Sequence, residues 1–183
     1  MKSMTYYGAK ELASSFRTVR ANTIKIAEEI PEDKYGFVPA PGARTVAQTL
    51  VHIAVSPRMG LKMHAEEKLM SFEGFDYMKH AGALAAELDK PRTKAEIVAL
   101  LKSEGDKWAG WLETVHEDFL DDVLVMPPGA QPASRTRFDM LLGVKEHEMH
   151  HRGQLMLVER LIGITPHLTR AMQERMAAAQ PKQ

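Results

Sequence analysis

Lys145-Glu146-His147-Glu148-Met149-His150-His151-Arg152-Gly153-Gln154 is the stretch on which the reading of this chain turns. Steps of four and three through it connect Leu141, Val144, Glu148, His151, Leu155, Val158 and Ile162, the period of one helix face. The pattern predicts a helix from about Arg135 to Leu161, ended by Gly163 and Pro166. His151 falls on its buried seam, and His147 stands one turn earlier on the same flank. His150 is turned about 100° away from His151.

The same period recurs upstream. Leu12, Phe16, Val19, Thr23, Ile26 and Ile30 predict a first helix from Ala9 to Ile30, stopped by Pro31. A second begins after Thr45, a good N-cap, and runs towards Lys68, with a kink or break at Pro57. A third runs from Thr93, which forms a capping-box spacing with Glu96, to about Val115. Residues 69–91, with Phe72, Phe75 and Tyr77, read as a packed connection with room for a short helix. The stretch 126–134, MPPGAQPAS, reads as a loop. A weaker helical tail spans about His167 to Ala179. No segment alternates in the manner of a strand. The expectation is one all-α domain over residues 1–183, a four-helix bundle with a short C-terminal tail. The connection lengths leave its topology open.

Composition narrows the chemistry. The chain has 183 residues, long enough for one sizeable core. Lys+Arg and Asp+Glu both number 24, so no global field favours nucleic acid or an anionic membrane. There are no cysteines, which excludes disulfides, thiolate ligands and a cysteine nucleophile. Any thiol must arrive as a substrate. No apolar run approaches the ~18 residues of a membrane span. MKSMTYYGAKEL lacks an apolar signal core, which points to a cytoplasmic compartment.

Imidazoles at i and i+4 on one helix can meet on one ion, since zinc takes nitrogens at ~2.0–2.1 Å. The plainer alternative is a pair of core histidines with satisfied hydrogen bonds. A metal site needs a third ligand from another helix, and His52 and His64 both qualify. Stepping from Val46 through Leu50, Ile53, Pro57 and Gly60 reaches His64, while His52 flanks that seam. Periodicity does not choose between them. The string His147-Glu148-Met149-His150-His151 also matches H-E-x-x-H of zinc peptidases, in which the glutamate is the base. The extended motif fails, because Gln154 stands at its glycine position. A later ligand at Glu174 would lie in the terminal tail, and no strand-rich half precedes the helix.

The chain more closely resembles the DinB/YfiT-like family of small helical metalloproteins, whose signature is a histidine on the second helix and H-x-x-x-H-R-G-Q near the end of the bundle. His147, His151, Arg152, Gly153 and Gln154 match the latter, and Thr45–Ala54 resembles the first ligand segment. The resemblance covers most of the chain and selects His52 as the third ligand beside His147 and His151. It implies a divalent ion, zinc or nickel, and a bundle that forms homodimers. It also implies a small-molecule substrate, with a low-molecular-weight thiol as the candidate, since bacillithiol transferases and mycothiol-dependent isomerases occur among relatives. The leading expectation is an enzyme moving such a thiol onto a small electrophile, without nucleic-acid or membrane partners. The alternatives are a non-catalytic metal-binding bundle serving as an interaction module, and a metal-dependent hydrolase with Glu148 as base.

Other residues carry plainer expectations. Glu104 interrupts an apolar stripe, where an edge position suits it. Arg152 is expected to pair with a carboxylate, Gln154 to cap or bridge helices, and Gly153 to mark a close helix approach. Trp108 and Trp111 suit the core or a dimer interface. Met59, Met63, Met149 and Met156 are read as core fillers, and His80, His116, His150 and His167 as surface residues.

Overall fold

Three threonines start three of the long helices in the same way. Thr45 Oγ1 accepts from Gln48 N at 3.0 Å while Gln48 Oε1 accepts from Thr45 N at 3.1 Å. Thr93 and Glu96 repeat that exchange, and Thr136 Oγ1 accepts from Asp139 N. Each bond satisfies an N–H that the helix itself leaves free. The computed structural model describes residues 7–179. The start of the segment read above for a signal core lies outside the described residues.

In chain order the helices are α1 (Ala9–Glu29), α2 (Val46–Val55), α3 (Pro57–Gly60), α4 (Tyr77–Ala85), α5 (Lys94–Leu112), α6 (Glu117–Leu120), α7 (Arg137–Leu161) and α8 (His167–Ala178). The protein is the expected four-helix bundle, made by α1, α2, α5 and α7. α1 and α2 each pack on both α5 and α7, so the order around the ring is α1, α5, α2, α7. Helices consecutive in sequence, α1 and α2, therefore sit diagonally. No described helix is long and apolar enough to cross a membrane.

The second predicted helix is interrupted, as its proline requires. α2 stops at Val55, Pro57 opens α3, and a π-helical turn follows at Leu61–Glu66. Pro57 has no N–H to give the carbonyl of Ile53. Arg20 supplies the missing donor, Nη2 to Ile53 O at 3.1 Å. Two short strands were not expected. Val123–Val125 (β1) pairs antiparallel with Ser134–Thr136 (β2), and the predicted loop at 126–134 joins them. Three residues are too few for alternation to show in sequence. They also delay the last bundle helix, which begins at Arg137 instead of Arg135.

The core has two apolar halves. One gathers Ile26, Ile30, Leu50, Ile53, Leu101 and Leu155, and the other Leu12, Phe16, Trp108, Leu112 and Leu141. Arg20 belongs to neither half and reaches all three other bundle helices. Its Nε donates to both oxygens of Glu148 on α7 at 3.0 Å, its Nη1 to Leu101 O on α5 at 2.7 Å, and its Nη2 to Ile53 O on α2.

Several residue-level expectations change. Gly153 is exposed with nothing within 4 Å of a built Cβ, so it marks no close approach within the chain. That role falls to Gly60, where a Cβ would come within 2.7 Å of the Trp108 ring, and to Gly105 against Arg20. Glu104 is buried, not at an edge, because Arg58 and Lys107 both donate to it. Those bonds outweigh burial and hold its pKa below the ordinary value. Met149 is exposed, and His167 is partly buried with Nε2 against Asn22 Oδ1. Trp108 is fully buried, edge-on to Phe16.

Gly60→Ala tests the tight packing. Alanine gains about 1 kcal/mol in helix propensity, but here it displaces a buried indole. A net loss of about 1–2 kcal/mol is expected, seen as a Tm lower by roughly 2–8 °C. An unchanged melting curve by circular dichroism would refute it.

Candidate metal centre

α2 and α7 pack against each other and bring three imidazoles together. His52 lies in the last full turn of α2, where Ser56 donates to its carbonyl from N at 3.0 Å and from Oγ at 2.6 Å. His147 and His151 stand one turn apart on α7. His147 Nε2 is 3.0 Å from His52 Nε2 and 3.2 Å from His151 Nε2. One ligand atom from each lies within 4.8 Å of the others. Nitrogens at ~2.0–2.1 Å from a tetrahedral ion stand roughly 3.3–3.4 Å apart, so the span suits one ion. No fourth histidine or carboxylate joins this group among the described residues. A tetrahedral ion held by these three nitrogens would keep one coordination position for an outside molecule, as catalytic zinc sites do.

Electrostatics keep the three rings neutral. Burial pushes His52 down to about 3, with Arg44 and the other two histidines adding to the effect. Burial pushes His147 to about 4, helped by His151, His150 and Arg44. His151 is lowered by burial, His150 and Arg44, against a hydrogen bond with Gln154 that raises it. A neutral ring keeps one nitrogen lone pair for an ion. In His151 the tautomer is set by Gln154, whose Oε1 accepts from Nδ1 at 2.8 Å and leaves Nε2 free. Gln154 Nε2 in turn donates to His150 Nε2 at 3.2 Å.

The competing third ligand, His64, is elsewhere. It is buried beside Arg137, with Nδ1 accepting from Arg137 Nη1 at 2.9 Å. Burial, then Arg137, lowers it to about 4. Arg137 also donates to Leu69 O and Asp122 Oδ2. His64 thus serves a structural tie between the π-turn and the start of α7.

Glu148 requires a correction. Sequence spacing put it on the seam between the two α7 histidines, as a base. The side chain instead turns into the bundle, where Arg20 occupies both oxygens, with 2% of it exposed. Its two oxygens are engaged by a buried guanidinium, which is the geometry of a structural ion pair. Among the described residues Arg152 has no carboxylate partner, contrary to expectation, and its Nε is buried without a hydrogen bond.

Two cavities flank the triad. One, of about 560 Å³, is bordered by His151, Gln154, Val46, Leu155 and Val158. The other, of about 440 Å³, is bordered by His52, His147, Met59, Met63 and Leu84. Arg44 borders both. Sequence reasoning passed over Arg44, whose only signal was its place beside the Thr45 cap. It also missed the Gln154–His151 bond, although the i,i+3 spacing was visible.

The sequence model described as the DinB superfamily matches residues 15–155. The chain belongs to the DinB superfamily. The uncharacterized protein YjoA of Bacillus subtilis is 25% identical over 160 residues, covering 86% of this chain and 92% of that one. The crystal structure of that DinB-like protein superposes with a TM-score of 0.61 at 24% identity, over 85% of this chain and 93% of the other. YfiT from Bacillus subtilis superposes at 0.66 with 18% identity, over 90% and 93%. It is described as "a probable metal-dependent hydrolase with an unusual four-helix bundle topology". The colibactin self-resistance protein ClbS, solved with double-stranded DNA, superposes with a TM-score of 0.57 at 16% identity, over 84% of this chain and 98% of the other.

Proposed function

We propose that this DinB protein is a divalent-metal-dependent enzyme acting on a small molecule, with His52, His147 and His151 holding the ion. The convergence of three neutral Nε2 atoms beside two cavities, without a fourth protein ligand, carries this reading. A purely structural role fits less well, because structural zinc is closed by four protein ligands.

A divalent ion held there would supply Lewis-acid activation of a bound water or thiol. The chain's own residues do the rest. Gln154 fixes the His151 ring, and the Arg20–Glu148 pair anchors the turn of α7 between His147 and His151. Met59 and Met63 cover the His52 side with apolar surface. Neither cavity is bordered by Asp or Glu. With Glu148 held by Arg20, no carboxylate among the described residues that border the cavities is placed to deprotonate a water. That favours a substrate that brings its own acidic nucleophile, and we read the reaction as transfer of a low-molecular-weight thiol to a small electrophile. Zinc and nickel are the ions to test, and YfiT's description keeps metal-dependent hydrolysis as the second reading.

Elemental analysis of the untagged protein is the deciding test. About one divalent ion per chain is expected, lost in His52→Ala, His147→Ala and His151→Ala. A wild type that carries no metal and takes up neither zinc nor nickel would end the proposal. Gln154→Ala should keep the stoichiometry but weaken affinity about 10–100-fold, measured by competition with a chelating dye. An affinity equal to wild type would show that Gln154 does not orient His151.

A further inference from the structure

Arg44 is the last residue before the Thr45 cap, and the backbone around it is held firmly. Val46 N donates to Phe37 O at 3.1 Å and Ala47 N to Tyr35 O at 2.9 Å. Arg44 is exposed and borders the cavities on both sides of the triad. Among the described residues it makes no hydrogen bond or ion pair. By contrast Arg135, the other cation on the His52 side, is engaged by Asp139 Oδ2 at 2.6 Å. The chain carries as many acidic as basic residues, 24 each, yet no acidic side chain borders either cavity.

We propose that Arg44 is a substrate-binding residue and that the site takes a small molecule with a carboxylate on an apolar body. This rests on the reading of the site as that of a small-molecule enzyme. A guanidinium fork matches a carboxylate in shape and charge, and cavity walls without acids leave that charge uncompensated. A single free guanidinium matches one negative charge, which suits a carboxylate better than a phosphate dianion. The apolar body has a complementary wall in Met59, Met63, Leu84, Leu88 and Met140, around a space of about 440 Å³. A cationic molecule would meet the like charge of Arg44 and be disfavoured.

The test is calorimetric titration of the full-length protein with octanoate, octyltrimethylammonium and 1-octanol. It is run as purified and again after dialysis against a chelator, so that an ion does not compete for the carboxylate. Circular dichroism checks the fold. Octanoate should bind at least about tenfold more tightly than octyltrimethylammonium in both preparations. Arg44→Gln should weaken octanoate about tenfold or more while leaving 1-octanol unchanged, and Arg44→Glu should reverse the charge preference. Equal binding of anion and cation, failure of octanoate to bind, or an Arg44→Gln affinity equal to wild type would each overturn the proposal. The two readings fail separately. Arg44-dependent octanoate binding in a protein that takes up no metal would keep the anion site and discard the metal centre. Normal metal uptake with no Arg44 effect would do the reverse.

Discussion

Glu148→Ala should cost about 3–5 kcal/mol of stability, because it leaves a buried guanidinium without its counter-charge. Arg20 is 4% exposed and Glu148 2%, and Arg20 Nη2 lies 2.9 Å from Glu148 Oε2. The rest of the guanidinium is bonded to Leu101 O and Ile53 O, so it cannot swing to water without releasing α2 and α5. At roughly 2–4 °C per kcal/mol for a chain of this size, Tm should fall by about 6–20 °C. Glu148→Gln keeps the shape and one acceptor but loses the charge, and should fall between. Replacing both partners with apolar residues, Arg20→Met with Glu148→Leu, should recover much of the loss, although Ile53 O then lacks its donor. Urea unfolding measures all three. A catalytic base would behave differently, since Glu148→Gln would keep full stability and lose turnover. A Glu148→Ala protein melting within about 2 °C of wild type would refute the structural role.

The second large effect concerns Glu159. Its side chain is wholly buried, and neither oxygen has a hydrogen-bond partner among the described residues. Burial first, then the nearby Glu29 carboxylate, raises its pKa from 4.5 to about 7, against Arg170 and Arg160. The surroundings share the shortage of partners, with Glu29 Oε2, Arg152 Nε and His167 Nδ1 also unsatisfied. A carboxyl whose pKa is raised on folding stabilises the fold while protonated in both states, below about 4.5. That contribution is lost as pH rises through about 7. At about 1.4 kcal/mol per pH unit the loss is about 3 kcal/mol.

Other groups titrate across the same range in the opposite sense. His64, lowered to about 4, adds stability that is lost as pH falls below the ordinary imidazole range. The informative quantity is therefore the difference between wild type and Glu159→Gln in urea unfolding. The glutamine variant should gain about 3 kcal/mol relative to wild type between pH 4.5 and 7.5. Because Arg170 bonds Glu29 and His167 bonds Asn22, the ionised form should loosen α8 first. A difference that stays constant across that range would show that Glu159 titrates normally.

What was legible in the sequence is what forms within about four residues along the chain. The caps at Thr45 and Thr93, the proline break at residue 57 and the i,i+4 pair His147/His151 are such features. Each depends on hydrogen bonds or side-chain directions that repeat with the helix turn. The choice between His52 and His64 was of another kind. Pro57 and the π-turn after it alter the helical phase, so stepping from Val46 pointed to His64. The histidine signature selected His52 by likeness, without a physical reason; packing of α2 on α7 brings its ring beside His147 and His151. Glu148 shows the limit most clearly. Its position on the seam was correct, but the seam has two directions, and its partner Arg20 is 128 residues away. Local chemistry in the sequence determined the helices and the paired histidines. The diagonal placement of α1 and α2, the Arg20 tie between four helices and the arrival of Arg44 beside the triad were decided only by tertiary packing, because each joins groups far apart along the chain.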